Sequence, residues 1–311
     1  MSDTDSEHVC YRADEDGERH SAEELLALIR PQPLEVNLFR GESRDIGTPR
    51  VFGGQVLAQA LLAASETVEP GRLAHSLHAY FLRAGDPESP IVYSVDRSRD
   101  GRSFSARRVV AIQHGQQIFT LSASFQVPQG GVDHQFDMPD VPGPDDIVPG
   151  EALSPERLEQ VSRKLHRWFN RFGPYEIRPV DIYDPFRPEP RPPRQRVWFR
   201  INGDVGDDPV LNRALLAYVS DFHLVSTATL PHGISLLKGN VLMASLDHAM
   251  WFHRECRLDD WLLYDCDSPN AGGSRGLARG MIYDRQGRLV ASTAQEGMIR
   301  VVEPPGGGDV P

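Results

Sequence analysis

The feature that most constrains this fold is a repeat within the chain. Aromatic, basic and glycine residues of the first half recur in the second half in the same order. With 171 positions between partners, the pairs are Phe81 with Phe252, Arg83 with Arg254 and Tyr93 with Tyr264. With 172 positions, they are Ala106-Arg107 with Ala278-Arg279 and Gly115 with Gly287. Constant spacing across several strand-like segments predicts two structural units of one architecture.

Each unit is predicted to contain a long helix followed by antiparallel strands. Residues 53–68 are rich in Ala and Leu and apolar on nearly every side, which is typical of a buried helix. Patterning and turn residues at Asp100-Gly101 and His114-Gly115 predict strands in the first half at 34–40, 75–83, 91–96, 103–113 and 117–126. In the second half, strands are predicted at 175–183, 196–201, 241–254, 261–267, 274–284 and 288–300. Two such sheets can pair edge to edge and so remove exposed edges.

The helix of the second unit is predicted over residues 212–233, and it carries an acidic residue, Asp221, within its apolar stripe. The neighbours three and four positions away are all apolar: Ala217, Tyr218, Leu224 and Val225. A carboxylate there costs several kcal/mol unless it is paired, so Asp221 is a candidate for acid–base chemistry. The alternative is that Ser220-Asp221 caps a second, shorter helix. The first helix has no acid between Gly53 and Ala64, so a carboxylate-dependent site is expected in the second unit only.

Composition predicts the boundaries of the two units. Residues 1–20 hold seven acids against two arginines and lack apolar periodicity, so a disordered acidic tail is predicted. The first unit is then 21–127, and the second is 175–302. Between them, 128–174 is a proline-rich linker and insert with one helix at 155–172. Residues 303–311 are Gly- and Pro-rich and are predicted to be loose.

Charge and cysteine usage exclude several classes of function. A net charge of −11 argues against a general nucleic-acid binder, and the apolar runs fall far short of the ~20 residues of a membrane span. Three cysteines without a CxxC pair suggest no disulfide framework and a cytoplasmic location. Asp247, His248 and His253 invite a metal site, but side chains alternate along a strand. No further ligands cluster with them, so no metal is predicted.

Six motifs along the chain resemble the acyl-CoA thioesterase II family. They are RVFGGQVLAQAL (50–61), HSLHAYFLRAGD (75–86), DGRSFSARRV (100–109), YVSDFHL (218–224), LDHAMWFHR (246–254) and STAQEG (292–297). The resemblance covers roughly residues 34–300. It implies an α+β double hotdog fold, in which each of two tandem units wraps a curved antiparallel sheet around a long central helix.

The resemblance also implies a chemistry, namely hydrolysis of a fatty acyl-CoA thioester by a directly activated water. The family's Asp, Thr and Gln fall on Asp221, Ser245 and Gln295, so serine replaces threonine here. Serine keeps the hydroxyl but lacks the methyl group that stiffens the rotamer. No cofactor is implied. The family commonly associates further, so a homodimer or homotetramer is expected.

Other predicted site residues rest on general chemistry. Gly53, Gly54 and Gln55 begin the first helix, whose backbone N–H groups suit an oxyanion. Arg107, Arg108 and Arg279 are candidates for the CoA phosphates, or else solvated strand residues.

Two alternative functions stay open. One is a hotdog enoyl- or hydroxyacyl-CoA hydratase-dehydratase that pairs His223 with the acid, although positions i and i+2 of a helix do not share a face. The other is a non-catalytic acyl-CoA-binding protein. The sequence has no GxSxG nucleophile elbow, so no covalent intermediate is expected.

Overall fold

A computed structural model describes residues 21–45, 49–147, 174–181, 183 and 185–302. The predicted acidic tail, the predicted helix at 155–172 and the predicted loose C-terminal tail lie outside the described residues. Three α-helices are described: α1 (Ala22–Ile29), α2 (Gly53–Ser65) and α3 (Pro209–Ser220). Two 3₁₀ helices lie at Pro144–Asp146 and Val225–His232. Within the described residues, no helix combines the length and the apolar character that crossing a bilayer requires.

Thirteen strands form one antiparallel sheet. They are β1 (Gln32–Glu35), β2 (Leu38–Gly41), β3 (Leu73–Phe81), β4 (Ile91–Asp100), β5 (Phe104–Gln113), β6 (Gln116–Gln126), β7 (Tyr175–Pro179), β8 (Arg194–Ile201), β9 (Val241–Ser245), β10 (Asp247–Phe252), β11 (Leu262–Gly272), β12 (Arg275–Asp284) and β13 (Leu289–Val301). The spatial order is β1-β2-β4-β5-β6-β3-β10-β13-β12-β11-β8-β7, and β9 also pairs with β13. Strands β3 and β10 therefore join strands β1–β6, which lie in the predicted first unit, to strands β7–β13, which lie in the predicted second unit.

The junction between β3 and β10 has two-fold pseudo-symmetry. His78 lies opposite Ala249, and the pairs Tyr80–Asp247 and Ser76–Trp251 flank it symmetrically. Each member of these pairs is therefore related to a counterpart 171 positions away in the other strand. The chain also leaves the two strands in the same way. Leu82 and Arg83 both donate backbone N–H to the carbonyl of Ile118, as His253 and Arg254 do to that of Val290.

Strand register corrects one part of the repeat. Tyr93 lies opposite Ala111 in the first unit, and Tyr264 lies opposite Ile282 in the second, so a separation of 171 persists through β5 and β12. The separation becomes 172 only after the next hairpin, since Ala111 pairs with Phe119 while Ile282 pairs with Ala291. The predicted match of Arg107 with Arg279 is therefore wrong by one residue. The counterpart of Arg107 is Ala278, and that of Arg279 is Arg108.

The predicted helix at 212–233 is two elements with a break at Asp221. Helix α3 begins three residues earlier than predicted, because the Asp208 side chain accepts the N–H of Val210 and Pro209 occupies the first helical position. It ends at Ser220, and Asp221 is its C-cap residue. His223 then adopts a positive φ of 63°, which no helix interior allows. A second, shorter helix does follow, but Leu224 is its N-cap residue rather than Ser220 or Asp221.

Two predicted strands are also divided. Residues 34–40 were predicted as one strand, but β1 and β2 form a hairpin there, with Asn37 at a φ of 60°. The predicted strand at 241–254 is interrupted at Leu246, between β9 and β10. Leu246 is the symmetry counterpart of His75, where the pairing of β3 with β6 shifts register. Both irregularities bend the central sheet at related positions.

The two longer helices pack against each other on one face of the sheet, and this core positions the site. Eleven of the thirteen residues of α2 are buried, as its sequence predicts. A side chain at Gly54, near the start of α2, would collide with the carbonyl of Tyr218, near the end of α3. The helices therefore run antiparallel, with the N-terminus of α2 beside the C-terminus of α3.

The described part of the linker covers the opposite face of the second unit. Met138, Val141 and Ile147 pack against an apolar cluster there that includes Trp198 and Tyr283. The Trp198 indole donates to the carbonyl of Pro142 at 2.9 Å. The segment 138–147 therefore shields this apolar cluster on the side of the sheet opposite the helices.

Candidate active site

Asp221 and Gln295, which are 74 residues apart in sequence, meet at the end of α3. The side-chain amide of Gln295 donates to Asp221 Oδ1 at 2.7 Å. Asp221 is half-buried, whereas Gln295 is only 1% exposed and lies on the helix side of β13. The Gln295 Oε1 atom accepts no hydrogen bond from any described residue. A buried acceptor of this kind is uncommon in native proteins and is often completed by water or a ligand.

The start of α2 forms the other wall of this site. An added Cβ at Gly53 would lie 2.6 Å from Asp221 Oδ2 and 3.0 Å from the Phe81 ring. Only glycine therefore allows the carboxylate to approach the helix so closely. The N-terminus of a helix carries a partial positive charge and free backbone N–H groups, which favour an anion at this place.

Ser245 lies on the same face of the sheet as Gln295. It is opposite Gly297 in the pairing of β9 with β13, and residues two apart along a strand point to the same side. In an antiparallel pair, such diagonal neighbours are about 7 Å apart at Cα. Asp247 lies beyond the break at Leu246 and faces the other side of the sheet, where its carboxylate accepts the backbone N–H of Glu296 at 2.6 Å. Burial raises the pKa of Asp247, but its side chain points to the face of the sheet opposite the helix side, on which Gln295 meets Asp221.

A group of polar side chains beneath the end of α3 was not identified from the sequence as part of a site. His248 Nε2 lies 2.9 Å from the hydroxyl of Ser220, the residue before Asp221. The Tyr264 hydroxyl donates to the Ser220 carbonyl at 2.9 Å and lies 2.9 Å from Thr293 Oγ1. Burial lowers the pKa of His248 to about 3 and raises that of Tyr264 well above its ordinary value. Both side chains are therefore neutral at physiological pH.

Arg107 is placed inside the protein rather than at a phosphate site. Its side chain is 1% exposed. Nε donates to the Thr67 hydroxyl at 2.8 Å, and one terminal nitrogen donates to the Thr67 carbonyl and to Asp100. The other terminal nitrogen donates to the carbonyls of Arg99 and Ala106. These five bonds use every guanidinium donor, which argues against the predicted contact with CoA phosphates and gives Arg107 a structural role.

The remaining candidates for substrate binding differ in their availability. Arg279 is 58% exposed and forms a two-bond ion pair with Asp267 at 2.9 Å, so a contact with phosphate stays a prediction. Gln55 is buried, with its side-chain amide bound to the Glu42 carbonyl and its backbone N–H bound to Phe52. Of the three predicted oxyanion donors, Gly53 and Gly54 therefore fit better than Gln55.

Asp221 and His223 both lie beyond the end of α3, so the separation of helical faces expected for positions i and i+2 does not hold for this pair. His223 instead lies in the turn at which the chain changes direction after α3. Its carbonyl accepts hydrogen bonds from the side chains of Gln195, Ser226 and Thr227. Among the described residues, no group of three or more His, Cys, Asp or Glu side chains is arranged to hold a metal ion.

Comparison with known families covers both halves of the chain. Residues 40–126 match the acyl-CoA thioesterase N-terminal domain, and residues 167–298 match the acyl-CoA thioesterase family. Acyl-CoA thioesterase 2 of Haemophilus influenzae is 42% identical over 279 residues, covering 90% of this chain and 98% of that protein. This chain belongs to the acyl-CoA thioesterase II family. Membership of the family confirms the predicted enzyme class, a thioester hydrolase.

Other members and solved structures agree with this assignment. Human acyl-coenzyme A thioesterase 8 is 42% identical over 287 residues, covering 89% of each chain. The acyl-CoA thioesterase II TesB2 from Mycobacterium marinum superimposes with a TM-score of 0.74 at 42% identity, covering 90% of this chain and 99% of that one. A conserved protein with hotdog fold from Alicyclobacillus acidocaldarius gives a TM-score of 0.71 at 20% identity, covering 90% of this chain and 98% of that one. That likeness shows the hotdog fold of this thioesterase II family member.

Proposed function

We propose that this protein hydrolyses fatty acyl-CoA to a free fatty acid and CoA, with Asp221 as the general base for a directly attacking water. The observation that carries the proposal is the hydrogen bond from Gln295 to Asp221 beside the N-terminus of α2. The substrate class is taken from the names of the relatives, which are acyl-CoA thioesterases. The predicted double hotdog arrangement, with units at 21–127 and 175–302, is part of this proposal.

In the first step, the water oxygen attacks the thioester carbonyl carbon while Asp221 accepts a proton from the water. Gln295 orients the carboxylate through its amide N–H, and its Oε1 is available to accept a hydrogen bond from the same water. Ser245 offers a hydroxyl on the same face of the sheet. General-base assistance of this kind is typically worth ~10²–10⁴-fold in rate.

In the second step, the tetrahedral intermediate expels the CoA sulfur, and Asp221 returns the proton to it. The negative charge that develops on the carbonyl oxygen needs donors already in place. The backbone N–H groups of Gly53 and Gly54 suit this role, because the helix start faces the Asp221 carboxylate and carries no side chain. Removing one such donor typically costs ~10²–10³-fold in kcat. No covalent acyl-enzyme forms in this scheme.

The test is free-thiol release from short, medium and long acyl-CoA substrates by the wild type and by Asp221→Asn. This substitution keeps the size of the side chain and removes the base. We expect at least one chain length to be hydrolysed and the variant to lose at least ~10²-fold in kcat. A matched control is Glu66→Gln, since Glu66 is the C-cap residue of α2, as Asp221 is of α3, but is exposed. Its kcat should stay within twofold of the wild type.

The other outcomes identify what fails. If Asp221→Asn retains wild-type activity, another group is the base and the proposed mechanism is wrong. If no acyl-CoA is hydrolysed by the wild type, binding of the same substrates, measured by calorimetry, tests the non-catalytic alternative. The predicted cytoplasmic location and homo-oligomeric state stay predictions.

A further inference from the structure

The inner face of the sheet has a different chemistry beneath the end of each long helix. In the first unit, Leu77 lies opposite Ala123, and Leu121 lies opposite Ala79. The separations of 171 and 172 positions place His248 and Gln295 at the positions of Leu77 and Ala123, and Thr293 at that of Leu121. All of these residues are buried. Three inner-face positions that are apolar in the first unit are therefore polar in the second.

These polar side chains lie around Ser220 and Asp221. His248 contacts the Ser220 hydroxyl and Gln295 donates to Asp221, whereas Thr293 contacts Tyr264, whose hydroxyl donates to the Ser220 carbonyl. Ser220 is fully buried and immediately precedes Asp221. Its hydroxyl donates to the Ala217 carbonyl at 2.9 Å, as is common for serine near a helix end. Because a hydroxyl has a single proton, the contact with His248 requires His248 Nε2 to donate to the Ser220 oxygen. Tyr264 donates to the Ser220 carbonyl, one of the acceptors that the end of α3 leaves without a helical partner.

Burial makes this arrangement costly unless it has a role. The His248 Nδ1 atom has no hydrogen-bond partner within the described part of the chain. An unsatisfied buried nitrogen costs on the order of 1–3 kcal/mol, whereas leucine at the same place, as in the first unit, costs nothing of this kind. The second unit thus retains an unsatisfied buried polar group at a position where the first unit has leucine.

We propose that His248 and Tyr264 are positioning residues for Asp221, which hold Ser220 from both its hydroxyl and its carbonyl and thereby fix the last turn of α3. Asp221 follows directly, so the direction of its carboxylate toward Gln295 depends on the backbone of Ser220. This inference rests on the proposed function, in which Asp221 is the general base. A small error in the direction of a base lowers the rate of the chemical step more than it lowers substrate binding.

A double-mutant cycle tests the proposal. The variants are His248→Leu, which installs the residue of the first unit, and Tyr264→Phe, which removes one hydroxyl. Each is measured alone and in the Asp221→Asn background by thiol release. Each single variant should lower kcat about tenfold with KM within twofold. In the Asp221→Asn background, the same change should lower the residual kcat by less than twofold, because the group being positioned is absent.

Two controls separate positioning from packing. Tyr93→Phe removes the symmetry-related hydroxyl, which donates to Gln59 Oε1 at 2.6 Å in the first unit, and its kcat should stay within twofold of the wild type. His248→Gln keeps an N–H donor for Ser220 and should recover kcat to within threefold of the wild type. If His248→Leu does not fold, Tyr264→Phe carries the test.

Two results would overturn the inference. One is a kcat within twofold of the wild type for both single variants. The other is the same tenfold loss in the Asp221→Asn background, which would show that the residues act independently of Asp221. Failure of the proposed function looks different, because Asp221→Asn alone would then retain activity.

Discussion

The two units place opposite kinds of side chain at the end of their long helices. In the first unit, Arg107 on β5 reaches the end of α2 and binds Thr67, while the C-cap residue Glu66 is exposed. In the second unit, Ala278 occupies the position of Arg107, and Gln295 on the neighbouring strand reaches Asp221. The same backbone thus supports a basic group in one half and an acid–amide pair in the other.

The difference lies in how completely the buried polar groups are satisfied. Arg107 uses every guanidinium donor on groups of the protein, so it has no donor left for a ligand. Gln295 leaves Oε1 without a partner among the described residues, and Asp221 is half-buried. The pseudo-symmetric fold creates two equivalent helix ends. The end of α3 is the candidate active site because a buried polar group there is incompletely satisfied, whereas the polar groups of Arg107 at the end of α2 are fully satisfied.

The largest effect on stability is expected when the hydrogen bonds of Arg107 in the first unit are removed. Arg107→Met keeps much of the bulk of the side chain but removes five hydrogen bonds, one of which is the ion pair with Asp100. We expect the free energy of unfolding to fall by roughly 3 kcal/mol, since buried acceptors such as the Thr67 carbonyl lose their donor. Urea denaturation measures this change, and KM for acyl-CoA should not change.

Arg279→Met is the matched exposed variant. Its ion pair with Asp267 lies at the surface, so the loss of stability should be below ~1 kcal/mol. KM measured for the same variant tests its predicted contact with CoA phosphates. A stable Arg107→Met with a raised KM would reverse the roles assigned to the two arginines.

A smaller effect is expected on the free energy of unfolding at acid pH. His248 can bind a proton, whereas Leu77, at the related position of the first unit, cannot. The pKa of His248 is about 3 in the folded protein against an ordinary 6.5. Below pH 6.5, His248 therefore binds a proton in the unfolded chain but not in the folded protein. The contribution of neutral His248 to the free energy of unfolding is complete above pH 6.5 and is lost as pH falls toward 3. Between pH 7.5 and 5, the wild type should lose about 2 kcal/mol more than His248→Leu.

Urea denaturation of both proteins at the two pH values measures this difference. Burial also lowers the pKa of His75 and His253, but both histidines are present in the two proteins and cancel in the comparison. Equal losses in the two proteins would mean that His248 is protonated, or free to reach solvent, in the folded state.

The smallest effect is expected from a change that tests the close approach of the start of α2 to the end of α3. Gly53→Ala places a methyl group 2.6 Å from Asp221 Oδ2, so the carboxylate must move. We expect kcat to fall about tenfold, the scale of a modest misplacement of a catalytic group. Steady-state kinetics measures the change. Gly131→Ala, where an added Cβ meets nothing within 4 Å, is the control, and unchanged kcat in Gly53→Ala would place the base elsewhere.

Much of the fold was predictable from local patterns. The buried helix α2 was predicted because its polar positions are few, and the hairpin turns were predicted because His114-Gly115 favours positive φ. The end of α3 was not, since Tyr218, Phe222 and Val225 continue the apolar pattern across the break. At the break, the carbonyl of His223 accepts a hydrogen bond from the distant Gln195 side chain, a tertiary contact that no local pattern reveals.

The candidate site was also predictable only in part. Asp221 was identified from its apolar neighbours, but Gln295 came only from the family resemblance, because one glutamine on a strand has no distinguishing pattern. His248 was considered from the sequence only as a metal ligand. Its place beneath α3, like that of Thr293, becomes evident only when register equates the two residues with Leu77 and Leu121. The wrong separation given to Ala106-Arg107 and Ala278-Arg279 affected only the matching of β5 with β12, where it concealed that Ala278 occupies the position of Arg107.

The central pairing of β3 with β10 has a consequence for synthesis on the ribosome. His78 and its partner Ala249 are 171 residues apart, which at 5–20 residues per second is an interval of about 10–35 s. Throughout it, the nascent first unit presents β3 as an open edge, covered on one side only by β6. Because the native pairing is nearly self-complementary about His78, the best imitation of the missing β10 is the β3 edge of a neighbouring nascent chain. Polysome spacing and chaperone access during this interval therefore bear on the yield of chains in which β3 pairs with their own β10.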